Sequence, residues 1–219
     1  MSNFANAVPV QAYAVNVDDG KGETSNPPAT APQMDQQQPQ SGLSYAERND
    51  ILKDHYNFLP GINEQFNVAC DLLGPRYWIV DNSGSMANND GHVLIKSSAG
   101  VEGMVPCSRW QELGTSINWH ATLAARLRVP TEFRLLNNPG RAGQVLHVGH
   151  GNEQAEINMV HESMQTSPTG RTPLCAQLNQ IYQQILGQAE NLRSQGRRAL
   201  VVIASDGEAS DGNVAAALG

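Results

Sequence analysis

Two apolar runs, RYWIV ending at Val80 and ALVVIA from Ala199 to Ala204, each open directly onto an acidic loop: Asp81-Asn82-Ser83-Gly84-Ser85 after the first and Ser205-Asp206-Gly207 after the second. A strand with one wet face alternates apolar and polar residues, whereas a strand covered by helices on both faces is apolar throughout. Amphipathic helical stretches separate these runs. The pattern predicts an α/β fold: a doubly wound, mostly parallel open sheet with helices on both faces. Such sheets bind ligands beyond the carboxyl ends of their strands, at the point where strand order reverses. If the two apolar strands are neighbours there, Asp81 and Asp206 converge on one rim.

Between these runs the spacing of apolar residues sets out the remaining elements. Ser44-Tyr-Ala-Glu47 forms a capping box that starts a helix over 45–58, and a second stretch with Ile62, Phe66, Ala69 and Leu73 follows Leu59-Pro60-Gly61. His92–Lys96 and Val101–Val105 read as a small inserted hairpin, and Glu132–Leu136 with Gln144–Val148 as another. Trp110, Leu113, Ile117, Ala121 and Ala124 mark a helix over 108–127; Ile157, Val160 and Met164 mark a weaker one. The longest helix is expected from Pro173, with Leu174, Leu178, Ile181, Ile185, Ala189 and Leu192 on one stripe and Gly196 closing it.

Residues 1 to about 43, rich in Pro, Gln, Asn and Ala with a QQQPQ run, lack the apolar area to offset ordering and are expected to be a disordered tail. Val8–Val17 is its least polar part. Three regions result: the tail 1–43, a helical lead-in 44–75, and a domain over 76–219. A net charge of -7 argues against a nucleic-acid binder. Three widely spaced cysteines, Cys70, Cys107 and Cys175, form neither a disulfide framework nor a zinc pattern. The first twenty residues carry no Lys or Arg, and no run approaches a membrane span. A cytoplasmic setting is therefore expected.

Asp81, Ser83 and Ser85 place one carboxylate and two hydroxyls at alternate positions around Gly84. With Asp206 they make an all-oxygen donor set, suited to a hard cation such as Mg2+ or Mn2+ rather than zinc or copper. Ser83-Gly84-Ser85 is not a nucleophile elbow, because Asp81 stands where that motif needs its first glycine. Gly149-His150-Gly151 lacks the third glycine of a dinucleotide fingerprint and reads as a turn. His147, His150 and His161 have no partners at ligand spacing, and Asp90 and Asp211 are read as ordinary loop acids.

RYWIVDNSGSM, GRTPLCAQL and ALVVIASDGEASDG resemble the three segments of the metal-ion-dependent adhesion site (MIDAS) in von Willebrand factor A domains, over about 76–219. The resemblance implies that Ser83, Ser85 and Thr172 supply hydroxyls to the ion and that Asp81 and Asp206 act directly or through water. Thr172 is preferred to Thr169 because it follows Gly170 in the family's Gly-x-Thr pattern and directly precedes a helix. It also implies a cation-dependent protein-binding module rather than an enzyme, its Mg2+ completed by an Asp or Glu of a partner protein. The alternative it leaves open is a subunit or regulator of an ATPase-linked assembly of the chelatase or chaperone kind. The family's six-stranded sheet needs two strands and a helix beyond Ala204 that this chain lacks. It is therefore expected to be truncated at its C-terminus, with Ala199–Ala204 as a bare apolar edge.

Overall fold

The computed structural model describes residues 10–15, 42–96, 102–140 and 143–217. The central strand, β2, follows two lead-in helices, so the chain is best followed through its sheet. Val10–Val15 is β1, Leu73–Val80 β2, Gly91–Lys96 β3, Glu102–Cys107 β4, Thr131–Leu135 β5, Val145–Val148 β6 and Arg198–Ala204 β7. Five of these form one mixed sheet in the order β1-β7-β2-β5-β6. β2 lies parallel to both β7 and β5, while β6 and β1 run antiparallel at the two edges. Strands β3 and β4 pair as a separate hairpin.

The run that ends β2 is apolar because each side of the pleat faces a different helical layer. Trp78 and Val80, with Phe133 and Leu135 of β5, pack under α3 (Arg109–Arg126) and α4 (Glu153–Met164), through Trp110, Leu113, Ile117, Val160 and Met164. Tyr77 and Ile79, with Val201 and Ile203, pack on the opposite side against Leu174, Leu178, Ile181 and Ile185 of α5 (Leu174–Gly187) and Leu192 of α6 (Ala189–Ser194). Each such side chain, once buried, contributes about 1.5–3 kcal/mol. The crossover from β2 to β5 uses α3, and the return to β7 on the other side of β2 uses α5. Strand order therefore reverses at the β2–β7 junction, where both acidic loops emerge.

Ser108 and Gln111 form a second capping box at the start of α3. The lead-in consists of α1 (Tyr45–Tyr56), with the Ser44–Glu47 box complete, and α2 (Pro60–Leu72), with proline in its first turn. Buried Arg48 holds the two together through Asn67 (3.0 Å) and Asp71 (2.8 Å). Leu52 and Cys70 then pack on Leu123, Leu127 and Val129 at the far end of α3.

Three expectations need correction. Ala199–Ala204 is not a bare edge: Val10–Val15, inside the expected tail, pairs with it from Val10 opposite Ala204 to Val15 opposite Ala199. Most of the rest of 1–43, including Gln36–Gln40, lies outside the described residues, as do residues 97–101. The long helix is two: it closes at Gly187, a poor helix former, where the Gln188 amide reaches back to Ile185 O at 3.0 Å before α6 resumes the same apolar stripe. Pro173 caps α5 instead of sitting within its first turn. A short final helix, α7, covers Val214–Ala217.

Candidate metal centre

The Asp81 amide donates to Ala204 O (2.9 Å), so the exits of β2 and β7 are joined at the point where both chains leave the sheet. Asp81 is wholly buried. One carboxylate oxygen, Oδ1, accepts from the Ser83 amide at 2.8 Å; the other, Oδ2, accepts from the Ser205 hydroxyl at 2.5 Å. Among the described residues no Lys, Arg or His forms an ion pair with it. A buried carboxylate without a counter-charge is costly even when hydrogen-bonded, which marks this position as one that gains from a cation.

From Asp81 a line of oxygens runs outward. Ser83 Oγ lies 3.1 Å from Ser85 Oγ, and Ser85 Oγ donates to Asp206 Oδ1 at 2.9 Å. Ser83 is buried, whereas Gly84 and Ser85 are exposed, so the line opens to solvent at Ser85. The 3₁₀ turn Gly84–Ala87 bends the chain there. An open cleft of about 700 Å³ adjoins Asp206, walled by Leu174, Ile203, Ala209 and Val214.

The third predicted segment reaches this rim through its backbone. Gly84 N donates to Gly170 O (3.1 Å) and Thr169 N to Asn82 O (2.8 Å). The Asn82 side chain accepts from the Asn137 amide (2.7 Å) and donates to Asn137 O (2.8 Å), while Asn137 Nδ2 donates to Arg171 O (2.7 Å). Gly170 has φ +90°, and a Cβ there would come within 2.7 Å of Asn137 Oδ1, so this position requires glycine. Thr172 O accepts the amides of Leu174 and Ser210, which ties its loop to the segment following Asp206. Ser83, Ser85 and Asp206 are thus joined side chain to side chain, and Asp81 joins them through the Ser83 amide; among the described residues Thr172 is joined to the rim through main chain.

Arg109, which the sequence did not single out, borders the site, as do Asp90 and Asp211, which it set aside as ordinary loop acids. Arg109 Nη1 donates to Asp206 Oδ2 at 2.5 Å, and its Nε and Nη2 grip Asp90 Oδ1 and Oδ2 at 2.7 and 2.6 Å. The bond from Arg109 chiefly, against the opposing effect of burial, holds the Asp90 carboxyl below its ordinary range, and the two aspartates raise the guanidinium further. A signal existed: Arg109 is the first residue of α3, at the positive helix end, where a cation is unfavourable unless acids engage it. Asp211 caps α5 from a distance, its oxygens accepting the Cys175 and Ala176 amides at 3.0 and 2.8 Å. His147 and His150 are exposed, and the turn between them and α4 folds around buried Glu156, which accepts the amides of Gly149, His150 and Asn152.

The donor set fits a small hard cation. All its atoms are carboxylate or hydroxyl oxygens, and neighbouring ligands of an octahedral Mg2+ at 2.0–2.1 Å stand roughly 3 Å apart, close to the spacings of Ser83, Ser85 and Asp206. Among the described residues no group of three or more His, Cys, Asp or Glu side chains is placed to hold a metal ion of any kind, so the fit rests on the serine hydroxyls beside Asp206; the cysteines are free. No described helix is long and apolar enough to cross a membrane. Comparison with family models, with curated proteins and with solved structures finds no match to this chain.

Proposed function

We propose that this chain is a divalent-cation-dependent protein-binding module of the von Willebrand factor A type. Mg2+, or Mn2+ in its place, is held at the β2–β7 junction by Asp81, Ser83, Ser85, Thr172 and Asp206. The observation that carries the reading is the unbroken line Asp81–Ser83–Ser85–Asp206 bridging two strand exits on adjacent parallel strands. Helices on opposite faces of the central strands support the fold side of it.

Charge explains why such a site would capture a partner. Hydroxyl ligands leave the ion's charge largely uncompensated, so an open position at the Ser85 end would accept an Asp or Glu carboxylate from another protein. The role proposed is binding rather than catalysis: among the described residues no histidine accepts from the Ser83 or Ser85 hydroxyl, the pairing that activates a serine nucleophile. The test is retention of this protein on an immobilised array of Asp- and Glu-containing peptides, in Mg2+ and in EDTA. Retention in Mg2+ that is lost in EDTA and in Ser83→Ala is expected; retention indifferent to both would refute the reading.

A further inference from the structure

Arg109 stands between two carboxylates, gripping Asp90 with two nitrogens and reaching Asp206 with the third. Its main chain is fixed as well, the Arg109 amide donating to Asn88 O at 2.9 Å. The Asp206 side chain is only 6% exposed, so this pair is less screened by water than ordinary surface ion pairs. Helix stability does not account for the placement, since a cation in the first turn opposes the helix dipole. Asp206 is also the one predicted ligand whose two oxygens are both engaged by side chains, one by Ser85 and the other by Arg109.

We propose that Arg109 is a resident competitor for the cation: from Asp206 Oδ2 it neutralises the carboxylate while no metal is bound, and it lowers metal affinity because an ion arriving at Oδ1, the oxygen beside Ser85, meets a charge already offset. This rests on the metal-site reading above. The grip on Asp90 keeps Arg109 at the rim as a positive charge beside the ion. A divalent cation therefore shares the Asp206 charge with the guanidinium and is repelled by it. The rim switches between two charge states, one balanced by Arg109 alone and one by Arg109 and the metal together. Asp90 lies in the loop just ahead of β3, so the same residue links the site to the hairpin.

The experiment is Mg2+ titration calorimetry on wild type, Arg109→Gln, Arg109→Lys, and Ser83→Ala in the wild-type and Arg109→Gln backgrounds, with thermal melting of each in EDTA and in Mg2+. Arg109→Gln is expected to bind Mg2+ tighter than wild type by a factor of about 5 to 150, the usual span of coupling between neighbouring sites. Arg109→Lys, which keeps the charge, stays near wild type. In EDTA Arg109→Gln melts lower than wild type, and Mg2+ raises its midpoint by more. Binding by Arg109→Gln alone, abolished by Ser83→Ala, supports the proposal in its strongest form. Wild-type binding that Arg109→Gln leaves equal or weaker overturns it while the metal site stands. Absence of Mg2+ binding in both backgrounds overturns the site and the competitor together.

Discussion

Ser83 and Ser85 are two residues apart in sequence and 3.1 Å apart at their hydroxyls, because Gly84 turns the chain between them. Single changes here act on binding before they act on folding. Ser83→Ala removes one neutral ligand and should weaken Mg2+ at least tenfold, within the 10–100-fold range typical of disturbed metal sites, with little change in the metal-free melting temperature. Gly170→Ala should do both: φ +90° costs a side chain about 1–2 kcal/mol, and its Cβ would press on Asn137, which braces the rim. A lower urea midpoint together with weaker Mg2+ binding is the expected result. At this scale the local motif was legible, since Asp81, Ser83 and Ser85 sit within five residues. Arg109 and Asp90 were not, because the bridge from Asp90 through Arg109 to Asp206 depends on how α3 and the loop before β3 return to the sheet.

Helices and strands were the most legible level, and their exceptions have local causes. Apolar spacing carried the stripe of Leu174, Leu178, Ile181 and Ile185 correctly, but that spacing runs on through Leu192 and so conceals the break at Gly187. Strand β5 conceals something else, an acid and a base in a buried strand: Glu132 and Arg134 are both under 8% exposed and bonded at 2.7 Å, with Gln180 of α5 at 2.6 Å. Arg134→Met should cost about 3–5 kcal/mol by leaving Glu132 buried and unpaired, and Glu132→Gln in the same chain should recover part of it, as read by urea unfolding. Asp211 governs the start of α5. Burial alone would raise its carboxyl, but the Ala176 and Cys175 amides hold it below the usual range. Its contribution is therefore present above its ordinary value of 3.8 and is lost as pH falls through the lowered folded value. Asp211→Asn should melt lower at neutral pH and lose less stability between pH 4 and 2, as measured by melting across that range.

The order of strands decides the behaviour of the whole molecule. Two apolar runs whose paired residues lie 124 apart in sequence become neighbours because the chain crosses from one side of β2 to the other, and this crossing creates the rim. Their adjacency, a condition in the sequence, is seen in the pairing; the doubly wound sheet followed from their apolar character and the helices between them. The pairing of β1 did not, since Val10–Val15 is short, set in a polar surround, and takes its position only from the β7 edge. Removing residues 1–20 should expose that edge, lowering the melting temperature and giving concentration-dependent assemblies in light scattering. A monodisperse product with an unchanged midpoint would mean that β1 protects nothing.

The central claim is that a divalent cation binds where β2 and β7 meet. Calorimetric titration of Mg2+ into wild type and Asp81→Ala tests it most directly. The account predicts one-to-one binding by wild type and none by Asp81→Ala at the same concentrations. Equal heats from the two proteins, or no binding by either, would contradict it.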